Sequence, residues 1–171
     1  MYTQLNTLPI PLPYHEFLNV GVIEMPALGV TSLWERPLKN FLAHKPDKYK
    51  EHIDKAFKGQ CLNVVKFYVG SLYDCLVSCA MTATFKGTGH LSHVFTHSDH
   101  RGKGIASQVL SFLLEDFRKS GGKGLILGTE YGSVAYRLYT RFGFVDCPTK
   151  PGVMYRLWED FDWITEDEAL Q

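Results

Sequence analysis

Asp99-His100-Arg101-Gly102-Lys103-Gly104-Ile105-Ala106-Ser107 is the stretch whose reading decides the fold. Before it, residues 91–97 mix apolar and polar side chains over the length of a strand. After it, Ile105, Val109, Leu110, Phe112, Leu113 and Phe117 recur at helical spacing. The chain is therefore expected to run from a strand through a tight, glycine-containing turn into a helix. A helix start leaves several backbone N–H groups without intrahelical partners, and the helix dipole adds partial positive charge there. Such a place binds phosphate.

Working outward, residues 62–69 and 75–85 are β-type runs separated by Gly70-Ser71-Leu72-Tyr73-Asp74, and Lys86-Gly87-Thr88-Gly89 turns the chain into 90–97. The three runs read as an antiparallel meander. On the other side, the helix 104–119 ends in Gly121-Gly122 and leads to a buried-looking strand at 124–129. Strand, helix and strand then form a crossover, which makes the two strands parallel and the connection right-handed. Ser133 is placed to cap a short helix whose apolar residues are Val134, Ala135, Leu138, Tyr139 and Phe142, with Gly143 as its stop. Residues 144–147 and 153–158 read as a closing hairpin. Toward the N-terminus the pattern predicts a helix over 32–44 with a Ser32-x-x-Glu35 capping box and another over 46–58 stopped by Gly59. The proline-rich residues 1–30 carry one strand candidate, 19–25, and the acidic tail 159–171 is expected to be frayed or loosely docked. With neither a repeat nor a linker, residues 1–171 read as one domain.

At 171 residues such a domain can bury roughly 70% of its unfolded surface. Eighteen basic residues balance eighteen acidic ones, so no overall field draws the chain to nucleic acid or to a membrane surface, and any anion must be held locally. The prolines and the absence of a basic region near the N-terminus argue against a signal peptide, no apolar run reaches membrane-spanning length, and a cytoplasmic protein is expected. Cys61, Cys75, Cys79 and Cys147 form no zinc-type pair of CxxC motifs. On one strand Cys75 and Cys79 would stand about 13 Å apart at ~3.3 Å per residue, too far to share an ion, so no metal is expected.

Arg101-Gly102-Lys103-Gly104-Ile105-Ala106 resembles the cofactor motif Gln/Arg-x-x-Gly-x-Gly/Ala of the GNAT superfamily of acetyl-CoA dependent N-acetyltransferases. A second motif of that family, Ala-x-x-Leu-Tyr-x-x-x-Gly-Phe, is matched at the expected distance by residues 135–144. The resemblance covers about 90–144, the expected cofactor-binding core. It implies an α/β (α+β) GNAT fold: a mixed, mostly antiparallel sheet with splayed parallel central strands, here 90–97 and 124–129, flanked by helices. It further implies that the main chain of Val94, Phe95 and Thr96 bonds the pantetheine amides and that Arg101, Gly102, Lys103, Gly104, Ile105, Ala106 and Ser107 hold the pyrophosphate. Glycine suits that task, because it lets a backbone approach phosphate and adopt positive φ at little cost. Neither rival motif is complete: no Gly-Lys-Ser/Thr makes a P-loop, and Gly102-x-Gly104-x-x-Ser107 lacks the third glycine of a dinucleotide fingerprint.

The reaction implied is acetyl transfer from acetyl-CoA to a primary amine, by direct attack in a ternary complex. It asks for a neutral amine, a donor for the oxyanion and a proton for the departing thiolate. By the resemblance, the main chain at Phe95 polarises the carbonyl and Tyr139, at the family's Leu-Tyr position, is the acid; its other reading is a core tyrosine. His90 falls where arylalkylamine and histone-type members place a His or Glu, with Glu130 as second candidate base. Period-two alternation puts His90, Ser92, Val94 and Thr96 on one face and Leu91, His93, Phe95 and His97 on the other, leaving His93 out of register. Gly132 stands where many members have Asn. The acceptor wall would include Trp34, Phe41, Tyr155 and Trp158, although aromatics at helical spacing are more often core. A small-molecule amine or a peptide or protein amine is the expected acceptor, with a homodimer admissible. The alternatives are a GNAT-fold sensor that binds acetyl-CoA or CoA without transfer, and a different phosphate ligand on the same turn.

Overall fold

Alternating apolar and polar residues before the glycine turn, and helical periodicity after it, give a sheet with helices on both faces. The computed structural model describes residues 8–12 and 16–158. Among them run β1 (Leu8–Pro11), β2 (Phe17–Glu24), α1 (Glu35–Phe41), α2 (Asp47–Phe57), β3 (Val64–Leu72), β4 (Cys75–Phe85) and β5 (Thr88–Thr96). They are followed by α3 (Ile105–Lys119), β6 (Gly124–Gly128), α4 (Val134–Arg141), β7 (Val145–Asp146) and β8 (Val153–Leu157). The strands form one sheet in the order β1-β2-β3-β4-β5-β6-β8-β7, in which β5 and β6 are parallel and every other neighbouring pair is antiparallel.

Two cores sandwich the sheet. On one face, Ile105, Leu110, Leu113 and Phe117 of α3 and Leu138 of α4 bury Tyr68, Leu91, Leu125 and Leu127. On the other, Trp34, Leu38 and Leu42 around α1 and Ile53, Ala56 and Phe57 of α2 bury Phe67, Val69, Cys79 and Met81. The meander is joined by two tight hairpins, Tyr73-Asp74 with φ of 48° and 61° and Lys86-Gly87 with φ of 48° and 85°. Positive φ at both central residues matches the twist of paired strands.

Several elements depart from expectation. The capping box is absent: residues Gly29–Trp34 form a 3-10 turn in which Ser32 Oγ donates to the Gly29 carbonyl at 2.7 Å, and α1 begins only at Glu35. The β3–β4 turn is two residues long rather than five, so Gly70, Ser71 and Leu72 belong to β3. Strand β1, unforeseen among its prolines, pairs along the edge of β2. The acidic tail lies outside the described residues. No helix among the described residues is long and apolar enough to cross a membrane.

Candidate active site

The parallel pair β5 and β6 is joined by three rungs only, Thr88↔Gly124, Gly89↔Leu125 and His90↔Ile126. Beyond His90 the strands part while β5 continues to Thr96 and β6 to Gly128. The closed end is tight, since a Cβ at Gly89 would sit 2.9 Å from Leu125 Cδ2 and one at Gly124 2.7 Å from Leu157 Cδ2. The open end leaves the β6-facing edge of Val94, Phe95 and Thr96 outside the ladder.

At the mouth of this opening lies the glycine turn. Gly102 and Gly104 have φ of +76° and +78°, and a Cβ at either would meet nothing within 4 Å. Conformation, not crowding, requires glycine there, and the space in front of the backbone is open. The N–H of Gln108 donates to the Gly104 carbonyl at 3.1 Å as the first bond of the helix, so the N–H groups of Ile105, Ala106 and Ser107 precede any intrahelical partner. Arg101 ties the turn to β5: its Nε donates to the Thr96 carbonyl at 3.0 Å and its guanidinium lies 5.7 Å from the Phe95 ring centroid. Lys103 Nζ stands 3.9 Å from Glu16. Phe95, Arg101, Phe41, His44, Asp74 and Cys75 line a cavity of about 670 Å³ between α1 and the end of β5.

The alternation expected along β5 breaks at His93. Cys79 pairs with Phe95 and Met81 with Ser92, so two residue steps on β4 face three on β5, and His93 takes φ of +52° to absorb the extra one. His90 and Ser92, opposite Ala83 and Met81, face the α1/α2 side; past the bulge Val94 turns to the α3 side and Phe95 to α1. His93 is thus not out of register with His90. Its ring lies 5.6 Å from Tyr49, 5.9 Å from His52 and 6.3 Å from Phe67, centroid to centroid. Only 5% of His93 is exposed, and neither ring nitrogen has a hydrogen-bond partner among the described residues; nor does the buried Ser92 Oγ. Burial, with His52, Lys45 and His90 nearby, lowers its pKa to about 4. His90 keeps an accessible surface, yet the protein crowded around it and His52 lower its pKa as well.

Tyr139 lies on α4, whose first turn is capped by Ser133 Oγ accepting the Tyr136 N–H at 3.0 Å. It is 6% exposed, with its ring 5.9 Å from Phe144, and burial pushes its hydroxyl up to about 12. Tyr139 is on the α3 side of the sheet and His90 on the α1/α2 side. Glu130 is exposed just past β6, and Gly132 has φ of +71°. Of the aromatics expected to line an acceptor wall, Phe41 reaches the cavity and meets Phe95 at 5.0 Å. Trp34 is buried beneath α1 and Trp158 packs on Phe117, so both serve the core; Tyr155 is half-buried on β8. His52 was not singled out by sequence reasoning; its signal is its place three residues after Tyr49, on one face of α2. Among the described residues, no group of three His, Cys, Asp or Glu side chains is arranged to hold a metal ion.

A parallel strand pair that opens beside a glycine turn at a helix N-terminus is the arrangement the resemblance implied. The acetyltransferase (GNAT) family model matches residues 30–144, and the chain belongs to that family of enzymes. The fold is shared with solved structures of low identity. The GNAT domain of S. lividans PAT superposes with a TM-score of 0.66 at 11% identity, over 87% of this chain and 94% of that one. A PaiA N-acetyltransferase from Thermoplasma acidophilum in complex with coenzyme A gives 0.55 at 16% identity, over 81% and 99%. A GNAT family acetyltransferase from Brucella melitensis in complex with acetyl-CoA gives 0.57 at 17% identity, over 82% and 88%. No curated protein matches the sequence.

Proposed function

We propose that the protein transfers the acetyl group of acetyl-CoA to a primary amine by direct attack in a ternary complex. The observation that carries this reading is the β5–β6 ladder opening after three rungs beside the left-handed glycine turn. A strand edge leading to a helix N-terminus suits an amide-bearing arm that ends in a pyrophosphate. Acetyl-CoA bound there supplies a thioester carbonyl and a thiolate leaving group. The main chain of Val94, Phe95 and Thr96 bonds the arm, with Phe95 polarising the carbonyl, and residues 101–107 hold the pyrophosphate, Arg101 by bracing the turn against β5.

The two candidate proton-handling groups work from opposite faces of the cleft. His90, held neutral by its crowded setting, takes the proton of the amine on the α1/α2 side, and Glu130 is the alternative base. Tyr139 on the α3 side keeps its proton at neutral pH. At about 12 its hydroxyl is a weaker acid than a thiol near 8.5, so it stabilises the departing thiolate by hydrogen-bond donation rather than by complete transfer. Gly132 stands where many family members have Asn. With φ of +71°, that position suits glycine or Asn alike, and the exchange preserves the loop.

Thermal-shift titration with CoA, acetyl-CoA and ATP, followed by thiol release against an amine panel, tests the reading. Stabilisation by both CoA species and amine-dependent release are expected, with Tyr139→Phe lowering kcat roughly 100-fold at an unchanged CoA shift. Binding without release for any amine would establish the sensor, and stabilisation by ATP but not CoA another phosphate ligand. Full turnover by Tyr139→Phe would remove the role given to that hydroxyl.

A further inference from the structure

The cavity between α1 and the end of β5 has an aromatic wall and one fork of donors. Phe41 meets the Phe95 ring edge-on at 5.0 Å, and His44, three residues further on, lies over the same ring at 4.2 Å. Phe41 and Phe95 are half-buried and His44 is exposed, so part of this wall is open to an occupant. At about 670 Å³ the cavity has the size of a small-molecule site. It also shares residues with the cleft. Phe95 puts its ring into the cavity and belongs to the stretch 94–96 that β6 leaves unpaired, and Arg101 lines the cavity and opens the glycine turn.

Two charged side chains line it, Arg101 and Asp74. Arg101 spends its Nε on the Thr96 carbonyl at 3.0 Å, and its guanidinium sits 5.7 Å from the Phe95 ring centroid, on the α1 face of β5. No carboxylate among the described residues is paired with it, which leaves its terminal amino groups for a ligand. A planar guanidinium with those groups available matches the two oxygens of a carboxylate. The nearest candidate within the chain, Asp99, is engaged in its own turn, accepting from Ser98 Oγ at 3.3 Å and lying 3.7 Å from His97 Nδ1. Asp74 is exposed in the β3–β4 turn, one strand farther from β6 than Phe95. The cavity is therefore positive on the side that adjoins the cleft and negative on the side away from it.

On the transferase reading above, we propose that the acceptor is a free α-amino acid with an aromatic side chain. Its carboxylate lies on the Arg101 fork, its ring against Phe41 and His44, and its nitrogen toward the opening between β5 and β6. Asp74 at the far side repels a second carboxylate and selects against acidic amino acids, and an amide in place of the α-carboxylate leaves the fork without its partner. The ammonium first gives up one proton to solvent. The neutral nitrogen then attacks the thioester carbon, the C–N bond forms, and the C–S bond breaks with its electron pair leaving on sulfur. The nitrogen's second proton passes to the base and on to solvent, and the thiolate is protonated from solvent.

The test measures thiol release from saturating acetyl-CoA with phenylalanine, phenylalaninamide, alanine and glutamate. The kcat/KM for phenylalanine is expected to exceed that for alanine by about tenfold or more, as burial of a ring requires, and Phe41→Ala should remove most of that preference. Arg101→Gln should lower the ratio of phenylalanine to phenylalaninamide about 30-fold, the worth of a charge-assisted pair. The different basicity of the two amines, and any loss of CoA affinity, act equally on both sides of that comparison and cancel. Asp74 has φ of 61°, which Asn also tolerates, so Asp74→Asn keeps the turn and should raise glutamate relative to phenylalanine about fivefold. If Arg101→Gln does not fold, the Phe41→Ala and Asp74→Asn ratios decide, and unmoved ratios in both count against the proposal. Release with other amines but no preference for phenylalanine, or an acid-to-amide ratio unmoved by Arg101→Gln, would overturn this inference and leave the transferase reading standing. No release with any amine, while CoA still raises the melting temperature, would overturn the transferase reading and this inference with it.

Discussion

A histidine with φ of +52°, 5% exposed and with neither ring nitrogen partnered among the described residues, burdens the fold twice, through its backbone and through its desolvated ring. The second burden depends on pH. An unfolded histidine titrates near 6.5 and His93 near 4, so on acidification the unfolded chain binds the proton first. Stability is complete above pH 6.5 and is lost as pH falls from there toward 4. Between pH 7.5 and pH 5 the loss due to His93 amounts to about 2 kcal/mol. His93→Asn keeps a residue tolerant of the left-handed region and removes the titration. Urea denaturation at the two pH values should show the pH dependence reduced by that amount, with a residual slope of the same sign from His52 and His90. An equal pH dependence in the variant would refute the assignment. This residue was also the least legible one. Period-two alternation assumes an unbroken ladder, and nothing in the string Ser92-His93-Val94 distinguishes a bulge from a regular rung.

At the scale of elements, the turn into α3 was legible because two signals coincided: glycines where φ turns positive and an apolar repeat starting at Ile105. The capping box at Ser32 had only one signal. Its serine donates to Gly29 and its Glu35 carboxylate takes Lys39 Nζ at 2.7 Å, so both partners are spent within a 3-10 turn and the first turn of α1. The contrast sets the expectation for Gly104→Ala. A Cβ there meets no atom within 4 Å, so the loss of stability is confined to the left-handed backbone penalty, about 1–2 kcal/mol. The same methyl group takes up part of the open space at the turn that begins α3. CoA should therefore raise the melting temperature of the variant far less than that of the wild type, even where urea denaturation shows most of the stability retained. An undiminished CoA shift would mean that the phosphate sits elsewhere.

For the whole molecule, the β3-β4-β5 meander, the parallel β5–β6 pair and the helix joining them followed from periodicity and glycine placement, the flanking of the sheet by helices was implied by the family resemblance, and β1 at the sheet edge was given by neither. The division of aromatics between core and cavity did not follow, because the sequence puts Trp34 and Phe41 in one helical repeat, whereas Trp34 ends the 3-10 turn that precedes α1 and is buried, and Phe41 ends α1 and lines the cavity. The wedge between β5 and β6 is likewise a property of the assembled sheet, set where three rungs meet close-packed side chains. Gly89 is the test of that wedge. Its Cβ position lies 2.9 Å from Leu125 Cδ2, 3.1 Å from Phe117 Cε2 and 3.2 Å from Thr84 Oγ1, and Leu125 and Phe117 are 1% and 3% exposed. Neither side chain has room to withdraw, so Gly89→Ala should lose about 1–3 kcal/mol by overpacking. Relief comes most directly by moving β6 away from β5, which alters the opening angle that the cofactor arm must fit. The variant should therefore bind CoA more weakly although Gly89 lies at the closed end, outside Val94 to Thr96 and the turn. Isothermal titration beside urea denaturation separates the two effects: lost stability with wild-type CoA affinity would show that the closed end does not set the cleft.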